Sequence, residues 1–246
     1  MWLILAILLL LIILIYLPSP EHFTDYNNFK YSDHMTVKDI QTLQQGQDIM
    51  TGMLRELDRI CRKYKLKYWC VGGTLIGVIR HQGWVPWDGD IDIGMEENDY
   101  QQFRKVVDQE LSPDMWFAHK PKGKPCSKIR SRKAHYIYTT WGSNWDVNQG
   151  IHLDIFLFKR DKDMLISDFK GNEVKDTPYD IIFPLKQALF DNMKVYIPNN
   201  TKQYLINGWG NYPPKLPPKD KRFPHEGRIE CDPPFFKFKE KNKMKI

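Results

Sequence analysis

The four cysteines, Cys61, Cys70, Cys126 and Cys231, contain no C-x-x-C pair, so their spacing argues against a structural zinc framework. Spacing assigns no disulfide either, and buried free thiols are an equal reading. No internal repeat is present. Residues 1–17 lack any charged side chain, and they also lack the basic start and small-x-small cleavage site of a secretory signal peptide. Residues 120–133 lack acids altogether while holding seven basic side chains.

What the first segment does have is an unbroken apolar run, MWLILAILLLLIILIYL, ended by Pro18-Ser19-Pro20. At the α-helical rise it would span roughly 26 Å, near the lower limit for crossing a bilayer. The run predicts an uncleaved transmembrane signal anchor over residues 1–17, followed by a stem over 18–35. No Lys or Arg flanks it, and Glu21 and Asp25 follow, which places the body on the lumenal (Golgi or ER) or otherwise extracytoplasmic side. The glycosylation sequon Asn199-Asn200-Thr201 would matter only with that placement.

The remaining 229 residues suit one sizeable core, and one domain over 36–214 is expected. The formal charge is +6, but residues 215–246 hold ten Lys/Arg against five Asp/Glu and supply most of it. A near-neutral body argues against a nucleic-acid partner. Seven of the sixteen prolines fall within residues 213–234, so residues 215–246 read as an extended, weakly ordered Pro/Lys-rich tail.

Thr36 with Asp39 resembles a capping box, and Met50, Met53, Leu54, Leu57, Ile60, Cys61 and Tyr64 recur at helical spacing, the stripe of a core-packing helix. Residues 67–71 predict a strand entering Gly72-Gly73, and Thr74 opens a short helix ending near Arg80. Glycine there either lets backbone amides approach a phosphate or serves a tight turn. Trp84 and Trp87 either pack or stack on a ligand. Residues 96–111 predict a helix, residues 188–197 a hairpin, and residues 201–207 a helix stopped by Gly208. The basic stretch 120–133 reads as a solvated loop, or else Lys128 and Arg130 neutralise phosphate oxygens.

The chemistry gathers in residues 68–93, YWCVGGTLIGVIRHQGWVPWDGDIDI. Asp90 and Asp92, two apart on a strand, point to one face and can hold a divalent metal. An isolated Asp-x-Asp triplet is a weak signal. A third carboxylate, Asp154, lies in the apolar run IHLDIFLF, where Ile151, Leu153, Ile155 and Leu157 share one face and Asp154 shares the other with His152, Phe156 and Phe158. It either completes a metal set or pairs with a basic side chain or buried amide.

Over roughly residues 45–215 these pieces together resemble the LicD/fukutin family of phosphotransferases, in the nucleotidyltransferase-fold superfamily. The matching pieces are Gly73-Thr74-Leu75-Ile76-Gly77 with Arg80, Pro86-Trp87-Asp88-Gly89-Asp90-Ile91-Asp92, Lys128-Ile129-Arg130, Gly150-Ile151-His152-Leu153-Asp154-Ile155-Phe156, and the segment around Trp209-Gly210-Asn211-Tyr212. The chain departs at Gly89, where an acidic residue is common, at Leu157, where proline often stands, and at Trp209, where tyrosine is more usual. The resemblance implies an α/β (α+β) fold, a nucleotidyltransferase-like mixed sheet flanked by helices, here preceded by the transmembrane helix.

It further implies transfer of a phospho-alcohol, such as phosphocholine or ribitol phosphate, from a CDP-linked donor to a glycan acceptor. Mg²⁺ or Mn²⁺ would be held by Asp90, Asp92 and Asp154, with Asp88 as a further ligand or support. Asp154 alternatively activates the acceptor hydroxyl. Gly72, Gly73 and Thr74 would contact the donor diphosphate, and Arg80, Lys128 and Arg130 would neutralise charge. Expected partners are thus the CDP-linked donor, a glycan or glycoconjugate and, through residues 1–17, a membrane. The competing readings are a noncatalytic glycan- or nucleotide-binding scaffold and a nucleotidyltransferase acting on nucleic acid, the latter at odds with the neutral body.

Overall fold

Helix α1 (Val37–Tyr64) begins where Thr36 and Asp39 exchange bonds: Asp39 N donates to Thr36 Oγ1 at 3.2 Å, and Thr36 N donates to Asp39 Oδ2 at 2.8 Å. Its apolar stripe, Met50, Met53, Leu54, Leu57, Ile60 and Cys61, is fully buried. The computed structural model describes residues 31–119, 126–137, 149–169, 171 and 174–231, and these described residues cluster as one unit.

Strand β1 (Trp69–Cys70), helix α2 (Gly72–His81), strand β2 (Ile91–Glu96) and helix α3 (Glu97–Glu110) follow, then β3 (Met115–Ala118), β4 (Cys126–Ile137), β5 (Gly150–Asp161), β6 (Met164–Ser167) and β7 (Thr177–Pro178). After the short helix α4 (Tyr179–Ile182) come the β8 (Lys186–Phe190) and β9 (Met193–Ile197) hairpin, helix α5 (Thr201–Trp209) and β10 (Arg228–Cys231). The main sheet runs β1-β2-β5-β4-β10 and is mixed: β2 and β5 are parallel, while β1 with β2, β4 with β5 and β10 with β4 are antiparallel. Helix α1 packs against β4, β5 and β10, and α3 against β2, β3 and β5. A register shift between Arg130 and His135 curls the sheet, so that β4 pairs with β3 through its first half and with β10 through its second.

Several expectations need correction. The anchor over residues 1–17 lies outside the described residues, and among the described residues no helix is long and apolar enough to cross a membrane. The expected membrane-spanning helix ahead of the fold, and the single-pass placement with a Golgi or ER lumenal body that followed from it, are therefore withdrawn. The basic stretch, where it is described, is not a solvated loop. Residues 126–133 belong to β4, with Cys126, Ser127, Ile129, Arg130 and Ser131 buried, because neighbouring strands supply acids and carbonyls to its cations. The segment expected to be weakly ordered contributes β10. Helix α5 runs past Gly208 and stops at Gly210, whose φ of 77° takes the left-handed cap. All four cysteines are free thiols.

Candidate active site

The crossing of β2, β5 and β4 builds the site. Asp92 and Asp154 are Cα partners in the parallel ladder, and Lys128 is the partner of Asp154 across the antiparallel one, so the three side chains form a row on one face. Lys128 Nζ lies 2.7 and 2.8 Å from the two oxygens of Asp154, and the Cys126 thiol donates to Asp154 Oδ2 at 3.2 Å. One step back, His152 Nε2 stands 3.7 Å from Asp90 Oδ2 and 3.5 Å from Asp154 Oδ1. Asp90, His152 and Asp154 are buried, and donor atoms of all three lie within 4.8 Å of one another.

Helix α2 closes one side. Gly72 has φ 54°, and a Cβ there would collide with Asp92 Oδ2; a Cβ on Gly73 would collide with Asp88 Oδ2. The helix begins without a side-chain cap, so its first amides and its positive dipole end sit beside the Asp88 and Asp92 carboxylates. Thr74 Oγ1 accepts the Asp92 amide at 2.8 Å and fixes the start of β2. Trp84 packs rather than stacking on open space: its Nε1 donates to Thr51 Oγ1 at 2.9 Å and its ring meets Phe190 edge-on.

Charge decides what the arrangement can do. Burial, and then Glu226, Asp92, Asp88 and Asp154, push the Asp90 carboxyl well above its ordinary pKa. Burial, and then Lys128, Arg130 and His225, hold His152 well below that of a free imidazole. A neutral imidazole is a poor base at pH 7 but a good metal ligand. The His152 contacts to Asp90 and Asp154 are too long for hydrogen bonds, and its buried Nδ1 has no hydrogen-bond partner. Two converging carboxylates, Asp90 and Asp154, beside a neutral imidazole whose Nδ1 has no hydrogen-bond partner form a donor set that fits a divalent cation.

The structure thus brings Asp88, Asp90, Asp92, Asp154, Lys128, Gly72, Gly73 and Thr74 to one place. Arg80 instead donates to the Pro214 carbonyl at 2.8 Å, and Arg130 donates to the Gly150 carbonyl at 2.8 Å while lying opposite His152 in the ladder. Sequence reasoning put His152 on the face of Asp154 but gave it no role. It missed Tyr136, whose hydroxyl donates to the Gly89 carbonyl at 2.6 Å, and Glu226, which reaches Asp90 from the far end of the chain. A separate cavity of about 790 Å³, lined by Leu66, Lys67, Tyr179, Phe183 and Tyr196, includes none of these carboxylates.

Comparison with known proteins finds relatives by sequence. The chain is 45% identical over 69 residues to the lipopolysaccharide cholinephosphotransferase LicD of Haemophilus influenzae, covering 28% of this chain and 26% of that protein. It is 30% identical over 158 residues to an uncharacterised protein of Rickettsia typhi, covering 62% and 44% respectively. It is 22% identical over 155 residues to the ribitol 5-phosphate transferase FKRP of Mus musculus, covering 57% and 27%. The chain thus spans less than two thirds of the length of each of these relatives. Residues 65–200, more than half of the chain, match the family described as LicD/FKTN/FKRP, nucleotidyltransferase domain. With Asp88 and Asp92 against the glycine start of α2 and Asp154 beside Asp92 in the ladder, the chain belongs to the LicD/FKTN/FKRP nucleotidyltransferase-domain family.

Proposed function

We propose that this chain transfers a substituted phosphate, of the phosphocholine or ribitol-phosphate kind, from a CDP-activated donor to a hydroxyl of a glycan, with Mg²⁺ or Mn²⁺ as cofactor. The observation that carries the reading is the row of Asp92, Asp154 and Lys128 across three strands with Asp90 and His152 beside it. The printed names of the Haemophilus and mouse relatives, a cholinephosphotransferase and a ribitol 5-phosphate transferase, support the class of group moved.

In this reading the acceptor oxygen attacks the phosphorus bearing the alcohol, the bond to the bridging oxygen breaks, and CMP leaves with that oxygen. The hydroxyl proton passes to Asp154 or to water. Asp90, Asp154 and His152 would hold the cation, and Asp92 and Asp88 are the further carboxylates of the site. A divalent cation there supplies charge stabilisation to the nonbridging oxygens as negative charge shifts to the leaving phosphate. The α2 amides at Gly72 and Gly73 would orient a phosphate of the donor. Lys128, held on Asp154, is placed to offset charge as a phosphate enters.

The test is to incubate the purified full chain and Mn²⁺ with CDP-choline, CDP-ribitol and related conjugates, with and without glycan acceptors, and to follow CMP release. Release that depends on acceptor and cation is expected. Asp90→Asn and Asp154→Asn should each lower it by at least ~10²-fold without unfolding the chain. Near-normal turnover by either variant rejects the assignment.

A further inference from the structure

Glu226 belongs to the segment between α5 and β10, outside the family-matched residues 65–200. It is only 4% exposed, and beyond an ion pair with His225 neither of its carboxylate oxygens has a hydrogen-bond partner. Its ion-pair partner, His225, has a side chain 70% open to solvent. A donor atom of Glu226 shares a sphere of 4.8 Å with donors of Asp90 and His225.

The carboxylate reaches this depth because position 89 is glycine. A Cβ there would collide with Glu226 Oε2 and would lie 2.8 Å from Pro224 Cβ. The Gly89 carbonyl is fixed by the Tyr136 hydroxyl at 2.6 Å, and Asp88 O accepts from Gln47 Nε2 at 2.9 Å, so the loop is pinned while the acid approaches. Two buried carboxylates face each other here with the solvent-open His225 as the ion-pair partner of Glu226, an arrangement that a bound cation would compensate.

We propose that Glu226 is a further ligand of the cation centre, delivered by the C-terminal segment and packed over Gly89 against Asp90. The proposal rests on the cation reading of the site given above. It makes the segment a functional wall of the centre: the same acid that covers Asp90 contributes an oxygen once the divalent ion is bound.

Mn²⁺ binding to the full chain, measured by calorimetry and by electron paramagnetic resonance without donor or acceptor, provides the test, together with melting of the metal-free protein. Glu226→Gln should weaken Mn²⁺ binding by about tenfold or more, since even outer partners of metal ligands are worth about 10–100-fold. It should leave the metal-free melting temperature unchanged or raised, because a buried charge facing Asp90 is removed. Gly89→Ala, which displaces the carboxylate but keeps its charge, should weaken binding in the same direction. Glu226→Asp should retain part of the affinity.

Unchanged Mn²⁺ affinity in Glu226→Gln overturns the proposal, as does a loss accompanied by a clear fall in metal-free stability, which would mean that the acid only holds the segment in place. Asp154→Asn separates the two readings. If it abolishes Mn²⁺ binding while Glu226→Gln does not, the cation centre survives and Glu226 is no ligand. If neither variant changes Mn²⁺ binding, the cation reading itself fails.

Discussion

Gly72 and Lys128 each decide the position of one carboxylate. At Gly72 the left-handed φ and the close approach of Asp92 act together, so Gly72→Ala meets backbone strain and a collision at once. The backbone part alone costs roughly 1–2 kcal/mol. Urea unfolding should register at least that loss, and CMP release should fall because Asp92 must move; a variant equal to the parent in both would show that the glycine serves neither. Lys128 touches both oxygens of Asp154 and is itself mostly covered, at 19% side-chain exposure. Lys128→Met leaves that carboxylate without its cation, a loss of about 3 kcal/mol for a buried pair. Added Mn²⁺ should then raise the melting temperature more in Lys128→Met than in the parent, since the divalent ion takes over the compensation. An equal or smaller rise would place the ion away from Asp154.

The C-terminal end of α2 carries an acid-labile joint. Arg80 donates through Nε to His81 Nε2 at 2.9 Å while its Nη1 holds the Pro214 carbonyl, so helix and later chain are tied through one side chain. Burial, and then the Arg80 charge, push the His81 pKa down to about 3. An imidazole whose folded pKa is depressed binds fewer protons folded than unfolded, so stability is lost as pH falls from the ordinary histidine range near 6.5 toward 3. His81→Gln, which can still accept from Arg80, should show a smaller drop in melting temperature between pH 7 and pH 5 than the parent; an equal drop would assign the acid sensitivity elsewhere. At this scale the sequence was readable where period and cap agree. The Thr36–Asp39 box and the Met50-to-Cys61 stripe determine α1 from local chemistry. Residues 126–133 were misread because basic side chains look solvated until the strand beside them is known to carry Asp154 and the Gly150 carbonyl. The stop at Gly210 rather than Gly208 depended on which glycine takes positive φ, and both fit the local pattern.

Across the whole molecule, the site was legible only in part. Asp90, Asp92 and Asp154 announce themselves as charges in apolar strands, whereas Glu226 lies in a Pro- and Lys-rich stretch whose composition suggests loose chain. Its burial comes from long-range pairing, which no local pattern encodes: Ile229 stands opposite Tyr136 in the β10–β4 ladder, Arg228 pairs with Asp39 at the start of α1 at 2.9 Å, and Tyr136 in turn holds Gly89. Ile229 also abuts α1, where a Cβ on Gly46 would lie 2.6 Å from its Cδ1. The side chain is 4% exposed, so Ile229→Ala removes buried methyl groups between β10 and α1. Such a truncation costs about 2–4 kcal/mol when the surroundings cannot collapse into the space. Urea unfolding of the full chain should show that loss, and because Glu226 lies three residues earlier on the same segment, Mn²⁺ affinity should weaken in parallel. A change in stability below about 0.5 kcal/mol, the range of ordinary surface substitutions, would mean that β10 is not part of the core that supports the site.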